Sequence, residues 1–153
     1  IEMREIRFRA WDGKKMVGPF GMADIAYDWD NEQGDFAIPY PEGQNDGYDE
    51  GPWMQYTGIK DVRGKEIYEG DILLIRDFYK EIIVAGEGPT YEFNHLSPVV
   101  FKDGSFGCDI RENGMDYKKG FNAFPMMDYE MGAENVLEVI GNIYDGQDLL
   151  KEV

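Results

Sequence analysis

The stretch from Gly58 to Arg76, GIKDVRGKEIYEGDILLIR, constrains the fold more than any other part of this chain. Asp61-Val62-Arg63-Gly64 carries a reversal signal, because an Asp side chain bonds the backbone that follows it and Gly accepts positive φ without a Cβ clash. Glu66-Ile67-Tyr68 reads as a brief strand, and Glu69-Gly70-Asp71 as a second corner. Ile72-Leu73-Leu74-Ile75 then gives consecutive apolar, β-prone residues with no polar alternation. A half-solvated strand alternates, so this run is expected to be covered on both faces, as in a small barrel wall or a sandwich centre. Ile72, Leu74 and Ile140 are expected to line the inside of such a curved sheet.

Composition supports a mainly β fold. Nineteen glycines among 153 residues exceed the usual share of about 7%, aromatic residues are frequent, and helical periodicity is scarce. A chain of this length buries roughly 70% of its unfolded surface, enough for a core without crosslinks. None can form within one chain, since Cys108 is the only cysteine. With no signal-like or membrane-spanning apolar run, the expectation is a cytoplasmic protein that does not engage membrane.

Arg4 to Trp11 alternates, with Ile6, Phe8 and Ala10 on one face and Arg7, Arg9 and Trp11 on the other; Asp12-Gly13 turns it into Lys14 to Val17. The arginine face is expected to be solvated and to pair with the acidic remainder. Ile25 to Trp29 and Asp35 to Ile38 suggest a second hairpin, and PYPEGQNDGYDEGP, residues 39 to 52, has the composition of a linker. The expected division is therefore a β-rich N-terminal region, 1–52, and a second domain, 53–153. Trp53 to Thr57 and Glu81 to Ala85 read as further strands, and Gly86 to Pro89 as a loop. Val99 to Ile110 is a hairpin about Lys102-Asp103-Gly104. Between Arg111 and Ala133 regularity is lost although Phe and Met crowd in; Val136 to Ile140 closes the sheet, and Asp148 to Lys151 forms a helical turn.

Chemistry-bearing residues are sparse. A thiolate or imidazole metal site needs more than Cys108 and His95, and carboxylates alone leave only a Mg²⁺ or Ca²⁺ site open. No cofactor or metal is expected. His95 lacks the Ser or Cys arrangement of covalent hydrolysis and is read as a surface or core-edge histidine. Cys108, followed by Asp109, is read as a buried, inert thiol. Asp46, Asp49 and Glu50 are read as a solvated loop rather than acid/base catalysts. No catalytic, cofactor-binding or metal-binding residue is assigned, and an enzyme is not expected. A net charge of −16 opposes a phosphate backbone, so direct nucleic-acid binding is not expected either.

Five segments in order, MREIRFRAWD (3–12), MQYTG (54–58), KDVRGKEIYEGDI (60–72), VVFKDGSFG (99–107) and EVIGNIYDGQDLL (138–150), resemble the YopX-like proteins of bacteriophages and prophages. The resemblance implies an SH3-like β-barrel in the C-terminal part and a smaller β-rich N-terminal part. It carries no established activity, so no residue inherits a role. The leading expectation is a non-enzymatic phage accessory protein acting through an unknown protein partner or as a homo-oligomer. Trp11, Trp53, Tyr56 and the segment from Phe124 to Met131 are its candidate exposed contacts, and each fits the core equally well. Alternatives are an acidic mimic occupying the site of a DNA- or RNA-binding protein, and a small carboxylate- or metal-dependent hydrolase.

Overall fold

The computed structural model describes residues 5–21, 53–83, 86–112, 119–124 and 136–151. They divide between two compact units, Ile1–Gly58 and Ile59–Val153. The expected second hairpin, the 39–52 linker and residues 125–131 of the Phe/Met-rich segment lie outside the described residues.

In the first unit, β1 (Arg7–Trp11) and β2 (Met16–Gly21) form the expected opening hairpin. Asp12 makes its turn: Oδ1 accepts the backbone N–H groups of Lys14 and Lys15, each at 2.8 Å, while Gly13 takes φ +93°. β3 (Trp53–Lys60) pairs with the other side of β1, setting Arg9 opposite Met54. The arginine face is half-buried rather than the solvated surface expected from alternation, although Arg7 does pair with an acid, its Nη2 lying 3.1 Å from Glu5 Oε2. The Arg7 guanidinium lies 5.0 Å from the centre of the Tyr56 ring, and Arg9 Nη2 reaches the Met54 sulfur at 3.8 Å. Long arginine stems cover apolar surface and the charged head gains from an aromatic face, so both side chains are half-buried. Tyr56 and Met54 are core residues, and Tyr56 is thereby removed from the exposed contacts.

The second unit holds a five-stranded antiparallel sheet, built from β5 (Asp71–Ile83), β6 (Gly86–Lys102), β7 (Ser105–Ile110), β8 (Gly120–Ala123) and β9 (Val136–Asn142). Its order is β8-β7-β6-β5-β9; a four-stranded sheet has the order β2-β1-β3-β4, with β4 at Glu66–Tyr68. The protein is mainly β, and among the described residues no ladder closes either sheet into a barrel. The Val99–Ile110 hairpin forms about Asp103 (φ +52°) and Gly104 (φ +80°), and a 3₁₀ turn covers Gln147–Leu150.

The core of this unit is Ile67, Leu73, Ile75, Val99, Phe106, Cys108, Ile110 and Phe124. Ile72, Leu73 and Ile75 are fully buried, as an unbroken apolar run requires. The inward phase differs from expectation: Leu73 and Ile75 enter the cluster, whereas Leu74 and Ile140 are only half-buried. That face is shared with Leu137 and Val139 of β9, which pair with Ile75 and Leu73. Beside it β9 bulges: Ile72 pairs with Gly141 and Leu73 with Val139, so Ile140 is an extra residue.

Arg76 to Pro89 also differs from expectation. Glu81 to Ile83 continues β5 instead of forming a separate strand, and Gly86 to Pro89 belongs to β6 instead of a loop. β5 and β6 pair continuously from Ile72↔Pro98 to Ile83↔Gly86, with one irregularity between Lys80 and Ile82. Among the described residues, β9 accompanies β5 from Asp71 to Arg76, and β7 accompanies β6 from Val99 to Lys102. Asp77 to Ile83 and Gly86 to Phe93 therefore make a two-stranded ribbon, without a third strand among the described residues.

Candidate functional site

Among the described residues, a dense arrangement of ionised and buried polar groups lies where the turn after β3 meets β9. Asp61 N donates to Lys65 O at 2.7 Å and Gly64 N to Asp61 O at 2.9 Å, closing the turn that the sequence predicts, with Gly64 at φ +81°. Asp61 Oδ1 accepts from Arg63 N (2.9 Å) and Lys65 N (2.8 Å), and Oδ2 accepts from Val139 N (3.2 Å). Val62 N donates to Leu137 O at 3.0 Å. The turn thus satisfies two backbone groups on the outer edge of β9, which would otherwise be open to strand addition.

Glu138, between those two residues, is almost buried. Its Oε1 lies 2.6 Å from Arg63 Nη2, and its Oε2 accepts from Arg76 Nη2 at 3.3 Å. Burial pushes the Asp61 carboxyl up, but the backbone N–H groups of Lys65, Val139 and Arg63, together with the Lys65 charge, hold it below the usual value. A carboxylate held ionised in this way is a poor general acid, and its lone pairs already face backbone donors. Glu138 likewise faces two guanidiniums. The pair anchors a turn to a strand.

The other polar residues of the conspicuous motifs have similar work. Gly70, at φ +78°, donates its N–H to Val99 O and accepts from Ile143 N, both at 2.9 Å. Buried Asp71 accepts from Tyr68 N at 2.8 Å. Asn142 Oδ1 accepts from Tyr144 N (2.9 Å) and Asp145 N (3.2 Å), and Gly146 N donates to Asn142 O at 2.8 Å. Asp61, Gly70, Asp71 and Asn142 are thus fixed by turn geometry around β5 and β9.

His95 sits on β6 opposite Ile75 and is 9% exposed, a core-edge position. Cys108 is buried; desolvation pushes its thiol up to about 12, only partly offset by a hydrogen bond with Ser97. Burial, rather than the neighbouring Asp109, makes it inert. Asp46, Asp49 and Glu50 lie outside the described residues. No group of three or more His, Cys, Asp or Glu among the described residues is placed to hold a metal ion. No helix of the described residues is long and apolar enough to cross a membrane.

Of the expected exposed contacts, Trp11 and Trp53 are half-buried, and Phe124 is a core residue. Sequence reasoning missed Phe101, which is 53% exposed. Its ring lies 4.9 Å from that of Phe106, beside Lys102, whose ammonium is 5.8 Å from the centre of the Phe121 ring. Its place next to the Asp103-Gly104 turn was the available signal, because hairpin tips lose the cover that a neighbouring strand supplies.

Comparison with curated proteins gives no match. Among solved structures the chain is similar to one titled "Crystal structure of protein EF1440 from Enterococcus faecalis", at 25% identity. That likeness covers 95% of this chain and 97% of the other, with a TM-score of 0.53. The family described as YopX protein matches residues 7–151, a span that includes the Asp61 turn, the Gly70-Asp71 corner, the β5–β6 ribbon and the Asn142 turn. This chain belongs to the YopX family.

Proposed function

We propose that this protein is a non-enzymatic phage or prophage accessory protein that works by protein–protein contact in the bacterial cytoplasm, as a homo-oligomer. The observation that carries the reading is the ribbon of Asp77 to Ile83 and Gly86 to Phe93, which extends past the described residues of both flanking strands. A two-stranded ribbon is marginally stable in water alone, so one this long is suited to being covered. The motif carboxylates support the same reading, since they are engaged in turns. The SH3-like form implied by the family resemblance belongs to this proposal, with the five-stranded sheet as its curved wall. Size-exclusion chromatography with light scattering tests it: association above the monomer mass is expected, and a monomer at every concentration overturns it.

A second reading is favoured by the distribution of charge. Residues 22–52 contain nine Asp or Glu and no Lys or Arg, so a large share of the −16 sits in one segment. Such a segment suits an acidic mimic that occupies the nucleic-acid site of another protein. Competition against duplex DNA for a basic host nucleoid protein tests this reading; failure to displace DNA at low salt removes it.

A further inference from the structure

We propose that the basic turn Lys60 to Lys65 of one copy docks on an acidic pole of a second copy, formed by Asp109, Glu112 and Asp145. This rests on the homo-oligomer reading above and names a charged contact for it, outside the ribbon. Both surfaces belong to the unit Ile59–Val153. At the turn the carboxylates are already engaged. Asp61 accepts three backbone N–H groups, Glu138 lies between Arg63 and Arg76, and Glu66 accepts from the Tyr68 hydroxyl at 2.8 Å. Arg63 directs its head at Glu138, so the outward charge is that of the exposed Lys60 and Lys65. Between them in the chain, Val62 is 60% exposed. Hydrogen bonds to Leu137 and Val139 fix the turn in place, and a contact surface that is already ordered loses less entropy on binding.

Charge complementarity selects the occupant. Past the end of β9 the Asn142 turn carries Asp145, and Arg111 Nη1 donates to Leu150 O at 3.0 Å, which brings the end of β7 beside the 3₁₀ turn. Asp109, Glu112, Asp145 and Asp148 are all exposed. The bases among them are committed, Arg111 to Leu150 O and Lys151 Nζ to Asp148 Oδ1 at 2.7 Å. Asp109, Glu112 and Asp145 therefore leave this pole negative, as the two lysines leave the turn positive. Turn against turn would set ammonium groups together, and pole against pole carboxylates, so charge favours turn against pole. The two copies then use different surfaces, a heterologous contact. Opposite charges also orient the encounter, and Val62 supplies an apolar side chain to bury at the centre of the turn.

The test uses three full-length variants. One reverses the turn, Lys60→Glu with Lys65→Glu, and keeps Asp61 and Arg63; another reverses the pole, Glu112→Lys with Asp145→Lys. The third, Lys14→Glu with Lys15→Glu, makes the same change of net charge as the first at a different turn. The turn and pole variants are each expected to weaken self-association about tenfold or more by light scattering and sedimentation, while circular dichroism keeps the wild-type spectrum. The third variant is expected to associate as the wild type does. An equimolar mixture of the first two is expected to associate again, because each turn then meets a pole of opposite charge. Wild-type association is expected to weaken as NaCl rises from about 0.05 to about 0.5 M, as exposed charges become screened. If the wild type associates and the turn and pole variants do so equally well, if the third variant weakens association as much as the first, or if salt has no effect, the turn–pole contact is wrong while the oligomer reading stands. A wild-type monomer overturns both. Should the turn or the pole variant lose the wild-type spectrum, the remaining one decides against the third.

Discussion

At the residue scale, a carboxylate that accepts three backbone N–H groups couples its own protonation to the closure of a turn and a strand, as Asp61 does. Asp61→Ala is expected to cost about 2 kcal/mol in urea unfolding, since it leaves backbone donors without a charged acceptor. Arg63→Ala is expected to cost under about 1 kcal/mol, because Arg63 reaches Glu138 from an exposed position. The pH dependence follows from the direction of the Asp61 shift. Its carboxyl is lowered in the folded protein, so its stabilisation is complete above the unfolded value of about 4 and is lost as pH falls through the folded value. Wild type minus Asp61→Asn should therefore show a stability difference that shrinks below about pH 4. Cys108 makes a second residue-scale prediction. With its thiol raised to about 12, it should stay unmodified by a disulfide reagent at pH 8 in native protein and react fully in denaturant.

At the scale of elements, β8 is the strand that sequence reasoning did not find, and Gly107 is the residue that admits it. Gly107 pairs with Ala123, and a Cβ there would lie 2.7 Å from the Phe121 ring and 2.9 Å from Ala123 Cα, besides overlapping Asn122 O. Backbone atoms cannot yield as a flexible side chain can. Gly107→Ala is therefore expected to destabilise by more than about 2 kcal/mol, or to release β8 from β7. Amide exchange distinguishes these outcomes: release speeds Phe121 to Ala123 while β5 and β6 stay protected. A glycine inside a β-prone run marks a close approach of another backbone, so this signal was present. Which segment approaches was not.

At the scale of the whole molecule, charge is the property that bears most directly on partners. A chain of −16 is expected to give no shift with duplex DNA in a mobility assay at about 0.15 M salt, since binding there depends on cations that displace condensed counterions. A salt-sensitive shift would show a concentrated basic face that compensates for the total. The half-buried Arg7 and Arg9 already use their heads on Tyr56 and Met54, which leaves Lys14 and Lys15 as the exposed bases of that hairpin.

The sequence by itself determined the local features. Asp12-Gly13, Asp61 to Gly64, Gly70 and Asp103-Gly104 turn where short-range chemistry demands it, and Ile72, Leu73 and Ile75 are buried because water is unfavourable for consecutive apolar side chains. Kinship with YopX proteins was also legible, because the residues that carry it are largely those that make these turns. Tertiary structure alone decided the rest. Packing against the rest of the cluster set which residues of β5 face inward, and pairing at a distance made one long ribbon of segments whose composition resembled a strand, a gap and a loop. The position of Asp61 against β9 likewise needed the fold, since no local pattern can specify a hydrogen bond to Val139. Register and partner choice depend on contacts far apart in sequence, whose free energy exists only once the sheet has formed.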